Sequence, residues 1–492
     1  MVFSSITFLF GFLPLFLIIF IAIPSSWRIF FLLISSLLFY FWGENFMIWV
    51  VIVSTLIDYL CALFIYSGFK TPNLASNAIE AARTRTQKAA LTISIISRLY
   101  FLGYFKYYNF FIENALDFLN AIGLESVFLA SATKVSLPLG ISFYTFQAMS
   151  YTIDVYRGKV SATRSFTKFA AYVTMFPQLI AGPIVRYSDV EAQMACHNIS
   201  SDQFAEGIRR FISGLGKKVL IANTLALAAD RIFSLPSAEL SFSLAWLGIT
   251  TYTLQIYFDF SGYSCMAIGL GKMIGFTFPE NFNYPYISKS IREFWRRWHI
   301  SLSTWFRDYL YIPLGGNQHG RVRTYINLLI VFFICGLWHG ANWTFIIWGL
   351  YHGAFIAIER SGVFKFLSKL PRIFRHLYAV LVIMIGWVFF RADNSNHAFF
   401  YLKAMAGMGE SRDGAYILGQ ILSNALLLFL ITGVLFSTPI FKVFRLSPLF
   451  PEDGTASPGH KMVSSLFLFA IFILCIMSLA AGTYNPFIYF RF

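Results

Sequence analysis

Long apolar stretches follow one another along almost the whole chain and are separated by short polar segments. A helix needs about 20 apolar residues to cross the hydrocarbon core of a membrane. Backbone groups in lipid must be paired within the protein, so these stretches are predicted to be helices. The pattern predicts thirteen segments, some of them re-entrant or joined into one helix: 6–23, 28–42, 45–66, 90–113, 135–155, 166–184, 205–227, 242–274, 323–337, 342–359, 373–391, 415–437 and 462–482.

The predicted fold class is an all-α, polytopic membrane protein with roughly 11–13 membrane helices or re-entrant segments. The first apolar stretch has no basic residues before it and is too long for a signal peptide, so it is predicted to remain in the protein. No long linker divides the chain, and residues 1–492 are predicted to form a single integral membrane domain. No internal repeat is visible, which counts against a transporter, because many transporters are built from repeated halves.

Composition agrees with a membrane protein. The chain is 57% hydrophobic and 12% charged, whereas soluble domains have about 25% charged residues. The net charge of +15 is explained by basic loops on the cytoplasmic side and by contact with anionic membrane lipids, so no nucleic-acid partner is predicted. The basic segment from Lys70 to Lys88 is predicted to be cytoplasmic.

The cysteines are odd in number, at five, and form no CxxC pair. Neither a disulfide framework nor a zinc site is predicted from that spacing. No other metal-ligand spacing and no tightly bound cofactor is predicted either.

One region departs from the apolar pattern. Residues 279–323 combine charge, glycine, proline and aromatic rings. This mixture is too polar to cross lipid alone and too aromatic for a solvated loop. The region is predicted to be re-entrant or buried within the helix bundle, where irregular backbone is tolerated beside a cavity.

Two histidines, His299 and His339, are the main candidates for chemistry. A titratable ring at membrane depth is costly and indicates function, and imidazole suits a general base. His339 lies between Gly336 and Gly340, whose small size lets backbone or ligand approach closely, and follows Trp338. The alternative for His339 is a buried neutral ring that is satisfied by a backbone carbonyl.

If residues 295–309 form one helix, Trp295 and Ser303 lie one turn before and after His299, and Trp298 lies on the adjoining aromatic face. On that helix Arg296 and Arg307 would share the next sector and could line a groove. The alternative is an interfacial amphipathic helix with its arginines reaching the headgroups.

A carboxylate lies inside another apolar run, at Asp259. It is a candidate for substrate binding, and a structural pairing with a cation is an equal alternative. His352 lies thirteen residues after His339, off its helical face, and is left out of the predicted site. The remaining histidines are expected at interfaces or in loops.

Several motifs together resemble the membrane-bound O-acyltransferase family, and more narrowly the bacterial subgroup that O-acetylates alginate and peptidoglycan. The motifs run from end to end of the chain: 1–5, 176–184, 259–264, 294–311, 314–317, 338–340 and 485–490.

This resemblance implies a multi-pass helical fold around a transmembrane tunnel, in the bacterial inner membrane. It implies that His339 is the catalytic histidine and that His299 is the second catalytic position. Further predicted substrate-binding residues are Asp259, Trp298, Ser303, Trp338 and Asn342.

The expected function is therefore transfer of acetyl from a cytoplasmic thioester to an envelope or exported polysaccharide. The expected donor is acetyl-CoA or an acyl carrier protein, and the expected partner is a periplasmic acetyltransferase of the same pathway. Two alternatives remain open at this point: a transporter or flippase for a lipid-linked glycan, and a non-catalytic scaffold.

Overall fold

The fold comes from a computed structural model, which describes residues 2–68, 84–124, 129, 131–195, 198–409, 414–440, 458–482 and 484–488. Within these ranges the regular structure is helical and no strand occurs, so the all-α prediction is confirmed. The backbone groups of an apolar chain are thereby paired inside each helix. Most of the basic segment 70–88 lies outside the described residues.

The chain divides into two compact units. The first contains residues 1–2, 7–204 and 270–279, and the second contains residues 3–6, 205–269 and 280–492. The first unit holds the helices α1 Leu13–Ala22, α2 Ser25–Glu44, α3 Ile48–Ser67, α4 Arg85–Ala121, α5 Ile141–Arg157, α6 Phe166–Thr174, α7 Phe176–Leu179 and α8 Tyr187–Ala195.

The second unit holds most of α9, all of α10, most of α11 and all of the later helices. These helices are α9 Ser201–Gly216, α10 Asn223–Phe233, α11 Phe242–Met273, α12 Ile291–Arg297, α13 Ile300–Phe306, α14 Gly320–His339, α15 Trp343–Ile358, α16 Phe364–Lys369, α17 Arg372–Arg391, α18 Ser395–Met405, α19 Gly414–Ile421, α20 Asn424–Phe436 and α21 Pro458–Ala481.

Five helical segments among the described residues are long and apolar enough to cross a membrane, and six if α19 and α20, bent by 76°, count as one span. They support a multi-pass membrane protein. Several other predicted stretches also form helices, but shorter or more polar ones. The five segments are Ser25–Ser67, Ser201–Phe233, Gly320–His339, Arg372–Arg391 and Met462–Ala481.

Two predicted helical stretches are interrupted. The stretch 135–155 becomes helical only at Ile141, because Gly140 adopts a left-handed conformation with φ of 76°. The stretch 166–184 breaks at Met175, where ψ is 112°, and the freed amide of Phe176 donates to Ser36 Oγ at 3.1 Å. Apolar composition predicted both stretches but carried no signal for their breaks.

A buried ion pair joins α3 to α4 in the first unit. Arg98 Nε pairs with Asp58, and Arg98 Nη1 donates to Ser54 Oγ at 2.9 Å. Ser94 Oγ donates to the other carboxylate oxygen of Asp58 at 2.6 Å. Since a buried charge is tolerated only when it is paired and hydrogen-bonded, this cluster fixes how the two helices pack.

In the second unit, α14 and α15 pack closely enough that two positions accept only glycine. A Cβ at Gly336 would lie 2.4 Å from the Phe345 carbonyl oxygen, and a Cβ at Gly349 would lie 2.2 Å from the Phe332 carbonyl oxygen. Small residues of this kind let helix backbones approach in a membrane protein. This contact determines where the end of α14 lies.

We expect Gly349→Ala to push α14 and α15 apart and to destabilise the protein by about 1–3 kcal/mol, the usual cost of overpacking. The measurement is the midpoint of thermal unfolding of the purified protein in detergent. Gly103→Ala in α4 is the matched control, because a Cβ there meets nothing within 4 Å. Equal midpoints for both variants would contradict the close contact.

Candidate active site

His339 is the last residue of α14 and lies at the wall of a small cavity. The chain leaves the helix at Gly340 and re-enters helix at α15, whose first turn is capped by Asn342 Oδ1 accepting from Thr344 N at 3.0 Å. The His339 ring is 4% exposed. Its position at a helix end, rather than inside a helix, directs it toward the interior of the second unit.

The cavity beside His339 has a volume of about 10 Å³, which is room for about one water molecule. His339 contacts the rings of Trp348 and Phe390 edge-on, at centroid distances of 4.9 and 5.2 Å. Flat aromatic walls therefore enclose the imidazole. The cavity is lined by Ile256, Phe260, Trp298, His339, Trp348, Trp387, Phe390 and Ile488.

His299 lies at a break between α12 and α13. Its backbone is left-handed, with φ of 44° and ψ of 55°, a conformation that costs a residue other than glycine about 1–3 kcal/mol. The prediction of one continuous helix over residues 295–309 is therefore wrong. Trp295 and Ser303 lie on different segments, and a π-helical turn, Arg307–Tyr311, follows α13.

Asn281 holds this break and orients the His299 ring. The backbone oxygen of Asn281 accepts from Ile300 N at 2.9 Å. Its side-chain oxygen accepts from Ser301 N at 3.1 Å and from Ser301 Oγ at 2.9 Å. The same oxygen lies 3.2 Å from His299 Nδ1. An amide oxygen can only accept, so Nδ1 carries the hydrogen and the neutral ring has its lone pair on Nε2.

Sequence reasoning did not find Asn281. Nothing in the local pattern separates it from Asn283 two residues later, since both lie in the same irregular aromatic segment. Asn281 is fully buried. Its contact with a ring 18 residues away depends on the turn at His299, which no sequence signal indicated.

The predicted tryptophans both lie in this neighbourhood. The Trp338 ring contacts His299 and His339, at centroid distances of 6.0 and 4.9 Å. Trp298 lines the cavity of His339 and packs on Trp387 at 5.0 Å. The two histidines therefore share the Trp338 ring as a neighbour, and Trp298 forms part of the wall that faces His339.

Asn342 and Asp259 have other partners. The side chain of Asn342 caps α15 and donates to the Asp393 carbonyl oxygen at 2.9 Å. Asp259 pairs with Lys218 at 2.5 Å and accepts from the backbone amide of Ile488 at 2.8 Å. A direct substrate contact by either residue stays a prediction.

A second, larger cavity of about 220 Å³ lies beside α12, α13 and α14. Its lining is mostly apolar, with Ser303 and three arginines added to it. Arg296 and Arg307 both line this cavity, as expected of one groove. Arg296 belongs to α12, however, and Arg307 to the π-helical turn after α13. The lining residues are Arg292, Trp295, Arg296, Leu302, Ser303, Phe306, Arg307, Tyr311, Leu328, Val331, Phe332, Cys335 and Ile356.

His352 contacts one lining residue of each cavity. The sequence prediction left it out of the site. Its ring contacts Trp348 of the first cavity at 5.3 Å and Trp295 of the second at 5.4 Å. Neither ring nitrogen has a hydrogen-bond partner among the residues that the structure describes. The helical spacing used to exclude His352 fails because the helix is interrupted at residues 340–342.

No three histidine, cysteine, aspartate or glutamate side chains come together as a metal site in the described part of the chain.

The comparisons with known proteins agree on one family. The model of the membrane-bound O-acyltransferase family matches residues 6–391. The chain is 41% identical over 523 residues to the probable alginate O-acetylase AlgI of Azotobacter vinelandii, with 100% of both chains covered. It is 34% identical over 547 residues to the peptidoglycan O-acetyltransferase of Helicobacter pylori, with 100% of this chain and 98% of that relative covered.

A more distant relative is the teichoic acid D-alanyltransferase of Bacillus subtilis, 32% identical over 225 residues that cover 44% of this chain and 56% of the relative. This chain belongs to the membrane-bound O-acyltransferase family. It is a multi-pass membrane enzyme that transfers acyl groups. Nothing in the comparisons favours the transporter alternative.

We expect Asn281→Leu to lower kcat/KM for acyl transfer about 10- to 100-fold, because a lost buried hydrogen bond costs about 1–3 kcal/mol. Asn281→Asp keeps an acceptor for His299 Nδ1 and should retain most of the activity. Acyl transfer by isolated membranes, normalised to the amount of protein, is the measurement. Full activity of Asn281→Leu would mean that His299 does not need this orientation.

Proposed function

We propose that this O-acyltransferase moves acetyl groups from a cytoplasmic thioester, across the bacterial inner membrane, to an envelope or exported polysaccharide. The observation that carries the proposal is the buried His339 ring on the wall of a small cavity with largely aromatic walls. Two relatives that match over the full chain are named as an alginate O-acetylase and a peptidoglycan O-acetyltransferase, which supports this choice of acceptor.

His339 is the proposed general base. It accepts the proton of the attacking hydroxyl while the hydroxyl oxygen bonds to the acetyl carbonyl carbon. The carbon–sulfur bond then breaks and the donor leaves as a thiolate. General-base catalysis typically contributes about 10²–10⁴-fold. The attacking group is the acceptor hydroxyl, or His339 itself if an acetyl-histidine forms first.

His299 is proposed to orient the acceptor rather than to polarise the carbonyl. Its Nδ1 donates to Asn281, so the neutral ring offers an acceptor at Nε2 and no second donor. An acceptor nitrogen can hold a hydroxyl hydrogen, whereas polarising a carbonyl oxygen needs a donor. This role leaves the base in place when His299 is removed.

The second cavity is the proposed donor site. Arg292 and Arg296 are one turn apart on α12, and Arg307 joins them from the turn after α13. Guanidinium groups pair well with phosphate. Acetyl-CoA and an acetylated carrier protein both present the thioester on a phosphopantetheine arm, and acetyl-CoA is the proposed donor. Cys335 of this cavity lies one helical turn before His339.

A separate periplasmic acetyltransferase is the proposed partner. A polysaccharide is far too large for a cavity of about 10 Å³, so the acetyl group must meet its final acceptor elsewhere or on an intermediate carrier. The exposed apolar side chains of the spanning helices are proposed to contact membrane lipids. The basic segment from Lys70 to Lys88 supports a cytoplasmic donor side by the positive-inside rule.

We expect His339→Ala to abolish polysaccharide acetylation, since it removes the proposed base. His299→Ala should reduce acetylation less completely, because the base remains. Acetyl content of the polysaccharide, with protein abundance in the membrane, is measured in cells carrying each variant. The control is His319→Ala, at an exposed position. Near-normal acetylation by His339→Ala at equal abundance would refute the proposed base.

Arg296 is exposed and lines the second cavity. We expect Arg296→Gln to raise KM for acetyl-CoA about 3- to 10-fold with little change in kcat, because a charged hydrogen bond to phosphate is worth about 1.5–3 kcal/mol before screening. Arg231→Gln, outside the cavity, is the control.

The same assay also identifies the donor. If an acetylated carrier protein is turned over and acetyl-CoA is not, the carrier protein is the donor instead of acetyl-CoA. An unchanged KM for either donor in Arg296→Gln would remove this arginine from the donor site.

A further inference from the structure

The chain after α21 returns to the interior of the second unit. Phe487 and Ile488 are 5% and 7% exposed, although they lie within the last residues of the chain. The Phe487 ring packs on Tyr263 at a centroid distance of 4.8 Å, and Tyr263 stacks on Phe3 at 4.7 Å. Ile488 is one of the eight residues that line the cavity of His339. The C-terminal tail, defined here as residues 484–488, is therefore part of the catalytic neighbourhood.

A buried ion pair holds the backbone of this tail. The Asp259 carboxylate accepts from Ile488 N at 2.8 Å and pairs with Lys218 Nζ at 2.5 Å. Lys218 also donates to the Pro486 carbonyl oxygen. Both charged side chains are 3% exposed. A buried ion pair is tolerated only with good geometry and further hydrogen bonds. Here two of those bonds go to the tail, and a third joins Lys218 Nζ to Asn223 Oδ1 at 2.9 Å.

Asn485 holds the tail at a second point. Its Nδ2 donates to the Ser4 carbonyl oxygen at 2.7 Å, and its Oδ1 accepts from Asn223 Nδ2 at 3.1 Å. The tail is thus fixed through polar contacts on both sides of Pro486. Ile488 has a defined position on the cavity wall as a result, despite belonging to the end of the chain.

The side chain of Ile488 is aliphatic, whereas most of the other side chains that line the cavity are aromatic. Four of the lining residues, Trp298, Trp348, Trp387 and Phe390, have aromatic rings that pack on one another, with Trp348 and Trp387 at 6.1 Å. Among the residues that the structure describes, the aliphatic side chains in the lining are those of Ile256, inside α11, and Ile488. The cavity, at about 10 Å³, has room for about one water molecule, so the bulk of each lining side chain limits the group that can sit beside His339. Shortening Ile488 would add space without disturbing the packed rings.

We propose that Ile488, positioned by Asp259 and Lys218, is the wall that limits the transferred acyl group to two carbons. This inference rests on the proposed function, since it assumes that the acyl group reaches the cavity of His339. It gives Asp259 a role in positioning a specificity residue, without contact to the substrate. One methylene in an apolar pocket changes relative rates about 10- to 200-fold, so the effect is measurable.

The test compares acetyl, propionyl and butyryl thioesters of CoA as donors for the full-length protein in isolated membranes. We expect Ile488→Ala to raise the propionyl-to-acetyl ratio of kcat/KM about 10-fold or more. Ile488→Val, which removes one methyl group, should raise it less. Ile473→Ala is the matched control, because Ile473 is 39% exposed on α21 and does not line the cavity.

Asp259→Asn provides an independent variant. It retains an acceptor for Ile488 N but weakens the pairing with Lys218, and it should shift the donor ratio in the same direction. If Ile488→Val and Ile488→Ala both turn over acetyl-CoA with an unchanged donor ratio, the proposal is overturned. An equal loss with all three donors also overturns it, because the tail would then be only structural. If the unmodified protein turns over neither acyl-CoA nor an acetylated carrier protein, the proposed function itself fails, which distinguishes that failure from an unchanged donor ratio.

Discussion

The backbone contact between α14 and α15 is the constraint on which the site depends. Gly336 and Gly349 let the two helices touch, so Trp348 on α15 meets His339 at the end of α14, at 4.9 Å. The same helix pair supplies Cys335, Phe332 and Ile356 to the larger cavity. A wider separation would open both cavities at once and remove the aromatic enclosure of the imidazole.

Buried polar side chains in this apolar chain support the irregular segments. Asn281 holds the turn at His299. Glu359 accepts from the amides of Ile291 and Arg292, at 2.6 and 3.1 Å, and so fixes the first turn of α12. Asp259 holds the C-terminal tail. An unpaired backbone amide in an apolar interior costs free energy, so each break in a helix requires such a partner.

Much of the fold, and the residues of the candidate site, could be predicted from the sequence. Apolar runs predicted helices because a backbone in lipid must pair its own polar groups. The titratable rings at His299 and His339 predicted a candidate site, and the structure brings both rings to Trp338. The break at His299 was missed, because a left-handed histidine has no pattern of its own. His352 was excluded by assuming helix through Gly340. The partners of Asp259 are 41 residues before it and 229 after it, beyond any local pattern.

In the proposed function, acetyl groups pass from one side of the membrane to the other through the cavity of His339. The most direct test uses proteoliposomes with radiolabelled acetyl-CoA on the cytoplasmic face and polysaccharide with a periplasmic extract on the other. We expect label on the external polysaccharide with the unmodified protein and none with His339→Ala, while acetyl-CoA stays on its own side. Equal labelling by both proteins, or none by the unmodified protein, would contradict it.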